Sequence, residues 1–158
     1  MPLINKRQDP SGYFIRKIVS DSKAYRFKFR PYVNAIGVNI PAFYWGIYSA
    51  VGIEKRKSFS DKLVVYYGID FSVDYNEIRV RNKTGIFYSN KLDVLISPFI
   101  GSQFYIYKTL SFGIESHFPS GYTGLWAKGP DFNDGTIYTG SLSAEPKPLY
   151  CLLICYRF

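Results

Sequence analysis

The last nine residues of the sequence, Tyr150-Cys151-Leu152-Leu153-Ile154-Cys155-Tyr156-Arg157-Phe158, decide how the rest is read. Counting back in twos from Phe158 gives Tyr156, Ile154, Leu152 and Tyr150, an unbroken apolar and aromatic row of the kind one face of a β-strand carries. A soluble domain has little reason to finish on such a strand, because termini fray and are usually polar. A strand in the wall of a membrane barrel does, since its outer face must match lipid and aromatics mark the two interfaces.

Working outward, the same alternation recurs along the chain. Tyr25, Phe27, Phe29, Pro31 and Val33 oppose Arg26, Lys28, Arg30, Tyr32 and Asn34. Trp45, Ile47, Val51 and Ile53 oppose Tyr44, Gly46, Tyr48, Ala50, Gly52 and Glu54, and Leu63, Val65, Tyr67, Ile69, Phe71 and Val73 oppose Tyr66, Gly68, Asp70, Ser72 and Asp74. Seven strands are expected, at 12–19, 24–35, 42–56, 62–75, 91–105, 110–122 and 149–158, after an irregular lead-in over 1–11. The connections alternate between short (20–23, 57–61, 106–109) and long (36–41, 76–90, 123–148), the last with room for a strand extension at Thr136–Thr139. Short turns at one end and longer loops at the other are the pattern of outer-membrane barrels.

Composition agrees with this and excludes other classes. A chain of 158 residues that is 19% aromatic, with 15 Tyr and 13 Phe, is neither disordered nor a helical bundle. No run approaches eighteen apolar residues, so a transmembrane helix is excluded, whereas the mean hydropathy of -0.09 suits alternating strands. Cys151 and Cys155, four apart on one strand, lie roughly 13 Å from each other and cannot bridge. With a single histidine they are not expected to hold a metal, and no cofactor is expected. The net charge of +8 raises the question of nucleic acid. No RNA-binding aromatic signature, zinc spacing or phosphate loop accompanies it, so no nucleic-acid partner is expected.

Folded as a barrel, the chain places Arg26, Lys28, Arg30 and Arg157 inside against Glu54, Asp70, Asp93 and Glu115, with His117 beside Glu115. Buried charges are costly unless paired, so four against four is what a packed polar interior requires. The surplus cations, among them Lys55, Arg56, Lys57, Arg79, Arg81, Lys83 and Lys128, then fall on the rims. Tyr32, Tyr44, Tyr48, Tyr66 and Phe99 fill the remaining interior, which argues against solute transport. His117, Glu115 and Ser120 also admit a Ser/His/acid esterase, but an inward histidine hydrogen-bonded to an acid needs no catalysis, and no enzyme is expected.

The segments Gly12-Tyr13-Phe14-Ile15-Arg16-Lys17 through Phe27, Ile96-Ser97-Pro98-Phe99-Ile100-Gly101 through Ser111, and the closing Tyr156-Arg157-Phe158 resemble the small outer-membrane β-barrel proteins of Bacteroidota. The resemblance implies an all-β fold, an antiparallel up-and-down transmembrane β-barrel over 12–158, with eight strands where seven are legible. A first strand and an export signal are therefore expected beyond the given sequence, whose first ten residues carry no apolar h-region. It further implies that Tyr150, Leu152, Ile154, Tyr156 and Phe158 serve as the signal read by the barrel-assembly machinery as well as lipid contact. The implied setting is the bacterial outer membrane, with bilayer lipid, lipopolysaccharide and other outer-membrane proteins as partners. The expected role is a structural or accessory subunit of a larger envelope complex. The alternatives are a soluble lipocalin-like ligand-binding barrel, with aromatic faces turned inward, and a membrane-embedded lipid hydrolase.

Overall fold

The computed structural model describes residues 13–36, 42–82, 85–107, 109–129 and 136–156, without the side chains of residues 36, 82, 148–152, 155 and 156. It is all-β, an antiparallel sheet curled as a half-barrel. The strands are β1 (Tyr13–Ser20), β2 (Lys23–Ile36), β3 (Ala42–Ser58), β4 (Leu63–Asn82), β5 (Gly85–Tyr105), β6 (Leu110–His117), β7 (Ser120–Lys128), β8 (Thr136–Ala144) and β9 (Lys147–Tyr156). The sheet runs β1-β2-β3-β4-β5-β6-β9, and β7 pairs with β5 on one side and β8 on the other.

β6 and β7 are one line of chain broken at Phe118-Pro119, and β8 and β9 one line broken at Glu145-Pro146. Proline has no N–H to give a ladder, and one sits in each interruption, Pro119 and Pro146, whereas β2 and β5 carry Pro31 and Pro98 without a break. The breaks abut, because His117 pairs with Lys147 below them and Ser120 with Ala144 above, and the Glu145 amide donates to the Pro119 carbonyl at 3.0 Å. Counted as lines, the described residues form the seven strands that the alternation announces. Among the described residues no ladder joins β1 to β8 or β9, so the sheet has two free edges.

Two stretches read as long loops are largely strand among their described residues. Residues 76–82 and 85–90 form the far end of the β4–β5 hairpin, whose register continues without a shift from Leu63↔Phe104 to Asn82↔Gly85. Residues 123–148 contain most of β7, all of β8 and the start of β9, and the extension expected at Thr136–Thr139 lies within β8. Both stretches are polar because they project past the apolar wall. Their period of two persists, as in Ile78 and Val80 against Arg79 and Arg81. The long and short connections therefore become long and short hairpins. At the β4–β5 tip Gly85 has φ 147°, a conformation a residue with a Cβ adopts only under strain.

The concave face is closed by aromatic rings laid over glycines directly across the ladder. Tyr66 faces Gly101, Phe99 faces Gly68 and Tyr32 faces Gly46. A Cβ on Gly101 would sit 2.6 Å from the Tyr66 ring and 2.7 Å from the Ile114 carbonyl, so glycine is what lets the ring lie flat on the sheet.

Candidate functional site

Burial in this molecule is inverted. Among the described residues the buried apolar side chains are Ala24, Ala50, Val64, Tyr66 and Phe99, whereas the buried polar and charged ones include Arg26, Glu54, Arg56, Asp70, Asp93, Gln103, Glu115 and His117. The convex face carries the large apolar residues instead. Phe27, Val51, Phe71 and Ile96 stand in register across β2 to β5 and all four are exposed. A buried polar interior and an exposed apolar wall are the informative departures from ordinary burial.

The centre of the concave face is a charge network built by alternate residues of five strands. The carboxylates are Glu54 of β3, Asp70 of β4 and Glu115 of β6, each almost wholly out of solvent. The cations are Arg16 of β1, Arg26 and Lys28 of β2 and Arg56 of β3. Arg26 donates to Glu115 at 2.7 Å and lies 3.5 Å from both Glu54 and Asp70. Arg16 reaches Glu54 at 3.1 Å and Glu115 at 3.5 Å; Lys28 reaches Asp70 at 2.9 Å; Arg56 reaches Glu54 at 3.2 Å. Burial of these ions is tolerable only because each has several partners. The rings add to this: the Arg26 guanidinium lies 3.7 Å from the Phe99 centroid and 5.1 Å from that of Phe14, and Arg16 lies 4.6 Å from that of Tyr66.

Neutral groups complete the cluster. Tyr66 donates to Glu115 at 3.1 Å, and Gln103 accepts from Arg16 at 2.9 Å and from Arg56 at 3.3 Å. His117 stacks on Phe99 at 5.5 Å and meets Glu115 through Nε2 at 2.8 Å, while its Nδ1 lies 3.1 Å from Ser97 Oγ. This Ser97–His117–Glu115 chain replaces the expected Ser120, whose hydroxyl turns to the Ile96 carbonyl at 3.4 Å. The Glu115 carboxylate is already shared with Arg16, Arg26, Lys28 and Tyr66, so it anchors the interior as well as orienting His117.

The sequence-expected interior residues separate into three groups. Arg26, Lys28, Glu54, Asp70, Glu115 and His117 meet in one cluster. Asp93 belongs to a second, nearer the long hairpins, where Lys91 contacts it at 2.6 Å and Thr123 donates to it at 2.6 Å. Asp93 faces Asp74 across the ladder, and Asp74 accepts from Tyr32 at 2.8 Å. Arg30 lies 5.4 Å from the rings of both Tyr32 and Tyr48, and Tyr32 stacks on Tyr44 at 5.2 Å. Arg157 and Phe158 lie outside the described residues. The register sets Tyr156 opposite Leu110, Ile154 opposite Phe112 and Leu152 opposite Ile114, with Ile154 exposed on the outer wall. Tyr150, like Leu152 and Tyr156, has no described side chain.

Arg16 and Arg56 were not expected inside, and Arg56 had been assigned to the rim. Both follow from parity. Arg56 is two residues past Glu54 on β3, and Arg16 is two past Phe14 on β1, so carrying each alternation one step further finds them.

Among the described residues no group of three or more His, Cys, Asp or Glu could hold a metal ion. No protein-family model, curated protein or solved structure matches the chain.

Proposed function

We propose that the protein is a bacterial outer-membrane β-barrel with a plugged lumen, serving as a structural or accessory subunit of a larger envelope complex. The observation that carries the reading is the inversion of burial, an apolar wall turned outward around a salt-bridged interior. Along β4 the outward row is apolar from Leu63 to Tyr75 and turns polar at Glu77 and Arg79. That row is about 40 Å of strand, which at a membrane-barrel tilt of about 40–45° spans about 30 Å, near the thickness of a bilayer's hydrocarbon core. Trp45, Tyr75 and Trp126 form a chain of rings at its upper limit, with centroid separations of 5.5 Å and 6.3 Å, as an aromatic girdle requires.

A soluble lipocalin-like barrel needs its aromatic rows on the concave side and its charges outside, and it has no use for Phe27, Phe71 and Ile96 in water. A lipid hydrolase is the second reading, favoured by the Ser97–His117–Glu115 chain. It ranks lower because Ser97 and His117 are both buried in the plug.

The test is refolding of the full chain from denaturant with lipid vesicles. The expected outcome is carbonate-resistant association and heat-modifiable gel mobility. A monodisperse, detergent-free soluble monomer would sink the proposal.

A further inference from the structure

The convex face carries a group of lysines, none in an ion pair among the described residues, at the end where β1–β2 and β3–β4 turn. Lys23 and Lys55 are cross-strand partners, Lys57 lies two residues further along the same face of β3, and Lys17, opposite Tyr25, is the diagonal neighbour of Lys23. All four are exposed. In an antiparallel ladder these positions are separated by about 5 Å for the direct pair and about 7–8 Å for the others. Like charges set directly opposite each other destabilise a ladder. Yet among the described residues none of the four forms an ion pair, although cations elsewhere do: Arg79 pairs with Glu77, Lys91 with Asp93, and the interior set with Glu54, Asp70 and Glu115.

Lysine on a free edge discourages edge pairing, which explains Lys17. It does not explain Lys55 and Lys57, because β3 is an interior strand with partners on both sides. What the four share is position. They stand beside the outward residues Tyr25, Ile53, Val65 and Tyr67, the last of the apolar wall, where a long side chain lays its methylenes on apolar surface and its ammonium in the headgroup layer.

We infer that Lys17, Lys23, Lys55 and Lys57 are a docking patch for the phosphate groups of anionic phospholipids in the leaflet at the short-turn end. The inference rests on the membrane reading above and assigns its lipid partner. Charge complementarity carries it: four ammonium groups that form no ion pair among the described residues face the layer in which an anionic phospholipid holds its phosphate.

The experiment compares insertion of the full chain into vesicles of phosphatidylcholine alone and of phosphatidylcholine mixed with phosphatidylglycerol. The expected result is at least about tenfold stronger partitioning into the anionic vesicles, weakened by high salt. The variant K17Q/K23Q/K55Q/K57Q loses the preference yet inserts into phosphatidylcholine with its heat-modifiable mobility intact. R81Q/K128Q, at the far end, keeps the preference. Insertion into neither vesicle overturns the membrane reading itself. Equal insertion into both, or a preference that survives in the four-lysine variant, overturns the lipid patch alone, the first of these leaving the lysines to an acidic protein partner.

Discussion

Arg26 donates to Glu115 at 2.7 Å although β3, β4 and β5 separate their strands in the sheet. Only a sheet curled back toward itself brings β2 and β6 within one hydrogen bond, so this pair reports the curvature directly. It also identifies the interaction on which the interior depends. Replacing Glu115 by Gln leaves Arg16, Arg26 and Lys28 without their shared anion, and removing one partner of a buried pair costs about 3–5 kcal/mol. Urea titration of the folded protein measures this, and a loss below about 1 kcal/mol would mean that the cluster contributes little to stability.

A second prediction concerns the contact between Tyr66 and Gly101. Gly101→Ala pushes a methyl into the Tyr66 ring and the Ile114 carbonyl, and overpacking of this kind costs about 1–3 kcal/mol. Tyr66→Phe keeps the ring and removes only the hydrogen bond to Glu115, a loss of about 1.5–3 kcal/mol for a bond to a charged group. Gly101→Ala combined with Tyr66→Ala should then recover part of the alanine penalty. If the double substitution is no better than the sum of the singles, the ring does not lie on the glycine.

On the outer wall, Val51 sits between Phe27 and Phe71. In a soluble protein, arginine at so exposed a site changes stability by about 0.5 kcal/mol or less. At the midplane of a bilayer it costs about 2–4 kcal/mol. Val51→Arg therefore separates the two settings in a single folding titration, with the larger loss expected.

The Ser97–His117–Glu115 chain yields a prediction of the opposite kind. A serine-reactive fluorophosphonate should not label Ser97, since both Ser97 and His117 are buried and Glu115 is held by four other groups. His117→Ala removes a stacked ring and an interaction with a buried carboxylate, which together cost about 2–4 kcal/mol. Labelling that disappears in Ser97→Ala would make the hydrolase reading the leading one.

The faces of the strands were legible because period two is written directly in residue order. Tyr25 through Val33 against Arg26 through Asn34 needed no tertiary information, and the expected strands 24–35 and 42–56 fall within β2 and β3, which extend one or two residues beyond them. The limits of strands were less legible. Polarity at 76–90 and 123–148 resembles loop chemistry, but a hairpin that leaves an apolar wall has no reason to stay apolar. Arg56 fell inside the expected strand 42–56, but counting it with the surplus rim cations instead of following the alternation from Glu54 misplaced it. The partnerships inside the cluster were not legible, because which cation meets which carboxylate depends on how far the sheet curls, and the curl summarises all the ladders together. That Ser97 rather than Ser120 meets His117 follows from β5 and β6 lying side by side, with Phe99 opposite His117.

The prolines at 119 and 146 have a mechanical consequence. The two interruptions lie side by side, and above them β7 and β8 are secured laterally by β5 alone, since β8 has no further neighbour among the described residues. A flap attached along one seam can peel while the ladder between β6 and β9 stays closed. The amides that β7 and β8 give to each other should accordingly exchange with deuterium as one block, ahead of those in β3 and β4.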